Sequence, residues 1–95
     1  MMFRDTPQTA FFKILIASMD EEPDAWTADR YHLRNQAIGV AIWIANGAYA
    51  LHVEISGAQL NPSYAWRRRL RHAVDKCLAA QAVSALKIMR NRVPA

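Results

Sequence analysis

Residues 38–55 read IGVAIWIANGAYALHVEI, and the alternation in this stretch decides the fold. Asn46-Gly47 stands at its middle, a dipeptide suited to a two-residue type I′ turn because both central positions need positive φ. Counting outward from that turn pairs Ile44 with Tyr49, Ile42 with Leu51, Val40 with Val53 and Ile38 with Ile55. Side chains alternate along a strand, so these residues share one face, and that face is wholly apolar. The opposite face receives Ala45 with Ala48, Trp43 with Ala50, Ala41 with His52 and Gly39 with Glu54, a smaller and more polar set. The pattern predicts a sheet buried on one side and open on the other.

The pattern extends in both directions. A strand over Arg30 to Arg34, joined by a tight Asn35-Gln36 turn, sets Leu33 against Ile38 and Tyr31 against Val40 on the apolar side, with Arg30, His32 and Arg34 on the open side. Before it, Thr6-Pro7 has the form of a helix cap followed by proline at the first helical position, and Phe11, Phe12, Leu15, Ile16 and Met19 recur at helical spacing. This predicts a helix from Pro7 to Met19, ended by Asp20, Glu21, Glu22 and Pro23. After the strands, Asn61-Pro62 predicts a second helix that nothing breaks before Pro94. The fold class is therefore expected to be α+β in one domain over residues 1–95: helix, three-stranded antiparallel meander, long helix, with both helices on one sheet face.

On the second helix Trp66, Leu70, Ala73, Val74, Cys77, Leu78, Ala85 and Ile88 form one stripe, with Arg68, Arg71, His72, Asp75 and Lys76 opposite. Farther along, Ala79, Val83 and Leu86 fall on what had been the charged side. A helix of this length spans about 43 Å, while a globule of this size is roughly 30 Å across, so its end should overhang. Two outcomes follow: a break near Ala79-Ala80-Gln81 that folds the end back, or a homodimer with Val83 and Leu86 at its interface.

Charge is strongly polarised. Residues 61–95 hold eight Lys or Arg against Asp75, while residues 1–60 hold four bases against seven acids. The arginine run Arg67, Arg68, Arg69, Arg71 sits at a helix start, where positive charge is locally unfavourable, and Asp20, Glu21 and Glu22 make the mirror-image placement at a helix end. Either the two clusters neutralise each other, or the basic one is a binding surface. With short connections the two helices should run parallel, leaving the clusters apart.

The single cysteine, Cys77, falls on the apolar stripe and is expected to be buried, which fits a cytoplasmic, reducing compartment. The most apolar window, residues 37–51, is too short and too interrupted for a membrane helix. His32, His52 and Glu54 approach one another on the open sheet face, but their spacing matches no metal-ligand motif, and no nucleophile arrangement or glycine-rich phosphate loop is present. No cofactor and no enzymatic activity are expected. Trp43, ringed by small alanines and bordered by Arg30 and His52, reads as a platform for protein recognition.

The element order, with SYAWRRRLR (residues 63–71) opening the second helix, resembles the double-stranded RNA-binding domain at the level of topology. That resemblance implies shape and phosphate contacts to duplex RNA from the basic helix start. The residues themselves favour a small interaction protein that occludes or recruits an acidic protein or nucleoprotein partner, of the sort phages and mobile elements use as inhibitors of host machinery. The expected partner-binding residues are Arg67, Arg68, Arg71, His72, Lys76, Trp43, His52 and Arg30. The alternative is a nucleic-acid-binding accessory protein using the same basic helix start.

Overall fold

A computed structural model describes residues 6–44 and 50–92. Helix α1 (Pro7–Glu21) starts where Thr6-Pro7 predicts: the Thr6 hydroxyl accepts from the Thr9 N–H at 3.1 Å, and Pro7 occupies a position that needs no N–H. A 3₁₀ turn (Pro23–Ala25) leads into five antiparallel strands in sequential order: β1 (Thr27–Ala28), β2 (His32–Asn35), β3 (Val40–Trp43), β4 (His52–Ile55) and β5 (Ala58–Leu60). Helix α2 (Tyr64–Arg92) closes the order. It begins two residues beyond Pro62, with Ser63 as its cap: the hydroxyl faces the Trp66 N–H at 3.4 Å and the carbonyl accepts from Arg67 N at 2.8 Å.

The sheet is therefore a meander, but of five strands rather than three, and its register differs from the expected one. Ile42 opposes Val53, not Leu51, and Val40 opposes Ile55. In the β2–β3 pair Leu33 opposes Ile42 and Asn35 opposes Val40. Asn35-Gln36 is not a two-residue turn. Asn35 belongs to the strand, and its side-chain oxygen accepts from the Ala37 N–H at 3.0 Å, opening a four-residue loop that Gly39 closes at φ 67°. Tyr31 and Ile38, expected on the buried face, lie in loops and are 57% and 45% exposed. The expected turn at Asn46-Gly47 and the pairs Ile44–Tyr49 and Ala45–Ala48 lie outside the described residues. A type I′-like turn instead joins β4 to β5, where Ser56 and Gly57 have φ 49° and 80° between the paired residues Ile55 and Ala58.

Both displacements are even in residue number, so every strand keeps its expected facing. Leu33, Val40, Ile42 and Val53 are buried and, with Leu51, form the sheet side of the core. The cover is Phe12, Leu15 and Met19 from α1, Leu70, Ala73, Val74 and Cys77 from α2, and Trp26 from the connecting segment. His32, Arg34, Ala41, Trp43, His52 and Glu54 occupy the other face. Trp26 belongs to the helix side, its indole N–H donating to Ser18 Oγ at 3.1 Å, and so does not fold over Trp43.

No break interrupts α2. At the expected break Gln81 does the opposite: its amide donates to Trp26 O at 2.6 Å and Pro23 O at 2.9 Å, fastening the helix to the loop after α1. Beyond Gln81 the helix leaves the body, and the molecule measures 61 × 28 × 24 Å. Val83, Leu86, Ile88 and Met89 are all more than half exposed. Ile88, expected in the core stripe, lies beyond the reach of the sheet.

Burial dictates the outcome of truncation in the corrected register. Ile42→Ala should cost about 2–5 kcal/mol by loss of transfer energy and creation of a cavity, while Ile38→Ala should stay within about 0.5 kcal/mol. Urea unfolding of both variants checks this; equal losses would place Ile38 back in the core.

A cationic groove between the two helices as the candidate functional site

The helices run parallel, as the short connections predict. Early in both, the Phe12 and Trp66 rings lie 5.8 Å apart, and later Asp20 Oδ1 meets Lys76 Nζ at 3.4 Å. Parallel packing leaves the start of α2 beside the start of α1, and the acidic end of α1 about ten helical residues up α2, some 15 Å away. The arginine run and the acidic run therefore do not neutralise one another as clusters. Among the described residues Lys76 alone reaches back to Asp20, and both side chains of that pair are more than half exposed.

Between the helices lies a groove of about 800 Å³, lined by Lys13, Ile16, Ala17 and Asp20 of α1 and by Ala65, Arg68, Arg69, His72, Ala73 and Lys76 of α2. Its form follows from the sequence. Ala65, Ala73 and Ala17 are too small to fill the seam between two helices, so the long basic side chains stand as walls over an apolar floor. Arg68, His72 and Lys76 recur at four-residue intervals along one edge of α2. Among the described residues that line the groove, Lys13, Arg68, Arg69 and Lys76 are the cations beside His72, and Asp20 is the carboxylate.

The arginines divide their roles. Arg69 rests over the Trp66 ring, 4.2 Å from its centroid, a contact worth about 0.5–1 kcal/mol that holds the guanidinium at the groove wall. Arg68 lies 5.9 Å from the Tyr64 ring centroid. Arg67 turns back, its Nε–H donating to the Pro62 carbonyl at 2.9 Å, and Arg71 pairs with Asp75 at 3.2 Å. Of the expected basic set, Arg68, His72 and Lys76 come together in the groove, and Arg67 and Arg71 do not line it. Lys13 joins them unforeseen, and so does Arg69, read as part of the arginine run but outside the expected contact set. Lys13 carried no signal because it stands alone in α1, and only helix pairing brings it across.

Trp43 and His52 lie on the far side of the sheet from this groove. Trp43 is not an open platform: His32 and His52 oppose it in neighbouring strands and stack on it, with ring centroids 4.7 and 5.8 Å away. The indole N–H is buried and has no hydrogen-bond partner among the described residues. His52 Nε2 lies 3.7 Å from Glu54 Oε1, and no group of three metal-ligating side chains forms among the described residues. Arg30 sits in the β1–β2 turn, its guanidinium 5.8 Å from the Tyr31 ring centroid. In the same turn the Asp29 carboxylate accepts from the Tyr31 and His32 N–H groups, and the first of these bonds is the main cause that holds its pKa below the ordinary value.

Comparison with protein-family models, curated proteins and solved structures finds no match to this chain.

Cys77 is buried as expected, with its thiol 3.6 Å from the Pro23 carbonyl. Burial pushes the thiol pKa up, with Asp24 adding to the shift. A raised folded-state pKa contributes stability that is fully present below the unfolded thiol's value and is lost as pH rises through the folded value. The slope of unfolding free energy against pH above about 8.5 should therefore be more negative in the parent than in Cys77→Ala. Parallel slopes in pH-dependent urea titrations would show that the thiol does not titrate differently on folding.

Proposed function

We propose that this protein is a non-enzymatic binding module that occludes or recruits an acidic protein partner, gripping it in the groove between α1 and α2. The carrying observation is the composition of that groove: Lys13, Arg68, Arg69, His72 and Lys76 rise over a floor of Ile16, Ala17, Ala65 and Ala73. Cationic walls over an apolar floor suit an amphipathic segment that lays small apolar side chains on the floor and carboxylates along the rims. The apolar floor is a low-dielectric backing that focuses the field of Arg68, Arg69 and Lys76 and speeds the encounter with such a segment. On this reading Arg68 and Lys76 hold carboxylates, Arg69 is positioned by Trp66, and Arg67 and Arg71 support the helix start.

A second reading, a nucleic-acid accessory protein, is favoured by the guanidinium–aromatic pairs Arg68–Tyr64 and Arg69–Trp66, which interleave charge with stacking surface. The two readings separate by salt. Phosphate binding through about four bases should give a log–log slope of affinity against salt near −3 to −4 with random duplex RNA or DNA.

The test is fluorescence anisotropy with two labelled probes, an acidic amphipathic peptide and a random-sequence duplex, at several salt concentrations. The peptide should bind, and Arg68→Glu combined with Lys76→Glu should weaken it by more than tenfold, about 1.4 kcal/mol or more, while Arg71→Ala changes affinity less than threefold. Tighter, steeply salt-dependent binding of the duplex would replace the protein reading with the nucleic-acid one. Failure of both probes would remove the groove as the binding site.

A further inference from the structure

From Ala79 onward, helix α2 carries an apolar seam with nothing described against it. Ala79, Ala82, Leu86 and Met89 follow one another at intervals of three, four and three residues, the spacing of a helix-pairing stripe, with Val83 beside them. Val83, Leu86 and Met89 are 51%, 60% and 64% exposed. The side chains that anchor α2 to the body, Leu70, Val74, Cys77 and Gln81, lie on the opposite side of the helix. The seam therefore faces away from this chain's own core, and α2 continues without a break that could bring it back.

Charge selects the occupant. Residues 76–95 contain Lys76, Lys87, Arg90 and Arg92 and no carboxylate side chain. Where α2 leaves the body stands the opposite: Asp20, Glu21, Glu22 and Asp24 at the end of α1 and in the 3₁₀ turn. Asp20 meets Lys76 there, while Glu21, Glu22 and Asp24 have no ion pair among the described residues. A second copy laid parallel would set Lys87 against Lys87 and Arg90 against Arg90 with nothing to neutralise them. A second copy laid antiparallel about Leu86 sets each basic tip beside the other protomer's acidic corner, because the residues near position 90 of one copy lie level with those near 82 of the other. A two-fold axis perpendicular to the helices also keeps the flank that carries Lys76 and Lys87 on the same side in both copies, the side on which Asp20 lies.

We infer that the protein self-associates as a two-fold dimer in which the distal α2 helices pair antiparallel through Ala79, Ala82, Val83, Leu86 and Met89, and the basic tip of each protomer, Arg90 foremost, lies beside Glu21, Glu22 and Asp24 of the other. The apolar seam spans about three helical turns, less than a standard interface, so the charge contacts at its two ends carry much of the affinity. The dimer is accordingly weak, micromolar and sensitive to salt. It presents two cationic grooves at opposite ends.

The test is sedimentation velocity over roughly 1–500 μM, with circular dichroism confirming the fold of each variant. The parent should dimerise, with affinity falling about tenfold or more as salt rises from ~0.05 to ~0.5 M. Leu86→Glu should abolish the dimer. Two charge-reversed proteins, Lys87→Glu/Arg90→Glu and Glu21→Lys/Glu22→Lys, should each weaken self-association by tenfold or more, and mixing them should restore it, because each tip again meets an opposite corner. A monomeric parent over the whole range overturns the inference. So does a dimer that survives Leu86→Glu, or one in which Lys87→Glu/Arg90→Glu alone leaves self-association unchanged, as parallel pairing would.

Discussion

One-sided burial of the sheet is the constraint on which the rest of this structure depends. Leu33, Ile42 and Val53 stand directly opposite one another across three strands, each without exposed surface. Their removal from water is favourable only if a second layer covers them, and among the described residues α1 and α2 supply most of it, with Trp26 between them. Both helices must therefore lie on the same face. With a meander between them and a brief turn after α1, they lie parallel, and parallel packing separates the arginines of α2 from the acids of α1 along the helix axis. The cationic groove follows from the way the core is closed.

The features legible in the sequence were those set by parity and capping. Alternation in Val40–Trp43 and His52–Ile55 assigned faces correctly although the pairs themselves were displaced, because an even shift leaves each side chain on its own side. Thr6-Pro7 marked the first helix start to the residue. Turn chemistry was less legible. Asn35 looked like a turn residue and is one, but through its side chain, from within the strand, which a backbone reading of Asn-Gln cannot distinguish. Ser56-Gly57 carries the positive φ angles of a tight hairpin turn, and the strand that follows it, Ala58–Leu60, is too short to show an alternation. β1, two residues long, is shorter still.

For the candidate site the divide is between what one helix shows and what two helices make. The i, i+4, i+8 series Arg68, His72, Lys76 could be read on a helical wheel. Lys13 and the alanine floor could not, since they enter only when α1 packs beside α2. Trp43 was misjudged for a related reason: its neighbours along the strand are small, but its neighbours across the sheet are His32 and His52, and rings opposed in adjacent strands stack. Register decides which side chains share a face-to-face contact, and it differs from the expected one by two residues between β3 and β4 and by four between β2 and β3.

The start of α2 carries a further lesson about cost. No acid stands in its first turn, and the exposed backbone N–H groups there already carry partial positive charge. Four arginines within five residues worsen this. Local contacts offset part of the penalty: Arg67 donates to the Pro62 carbonyl, Arg71 lies against Asp75, and Arg69 spreads its charge over Trp66. None of these contacts introduces a carboxylate into the first turn. Asp20, the carboxylate that reaches the groove, neutralises its far end at Lys76, more than a helical turn beyond the arginines. Among the described residues no carboxylate lines the groove beside Arg68 at the helix start, and an anionic group entering there would gain from side chains and helix terminus together.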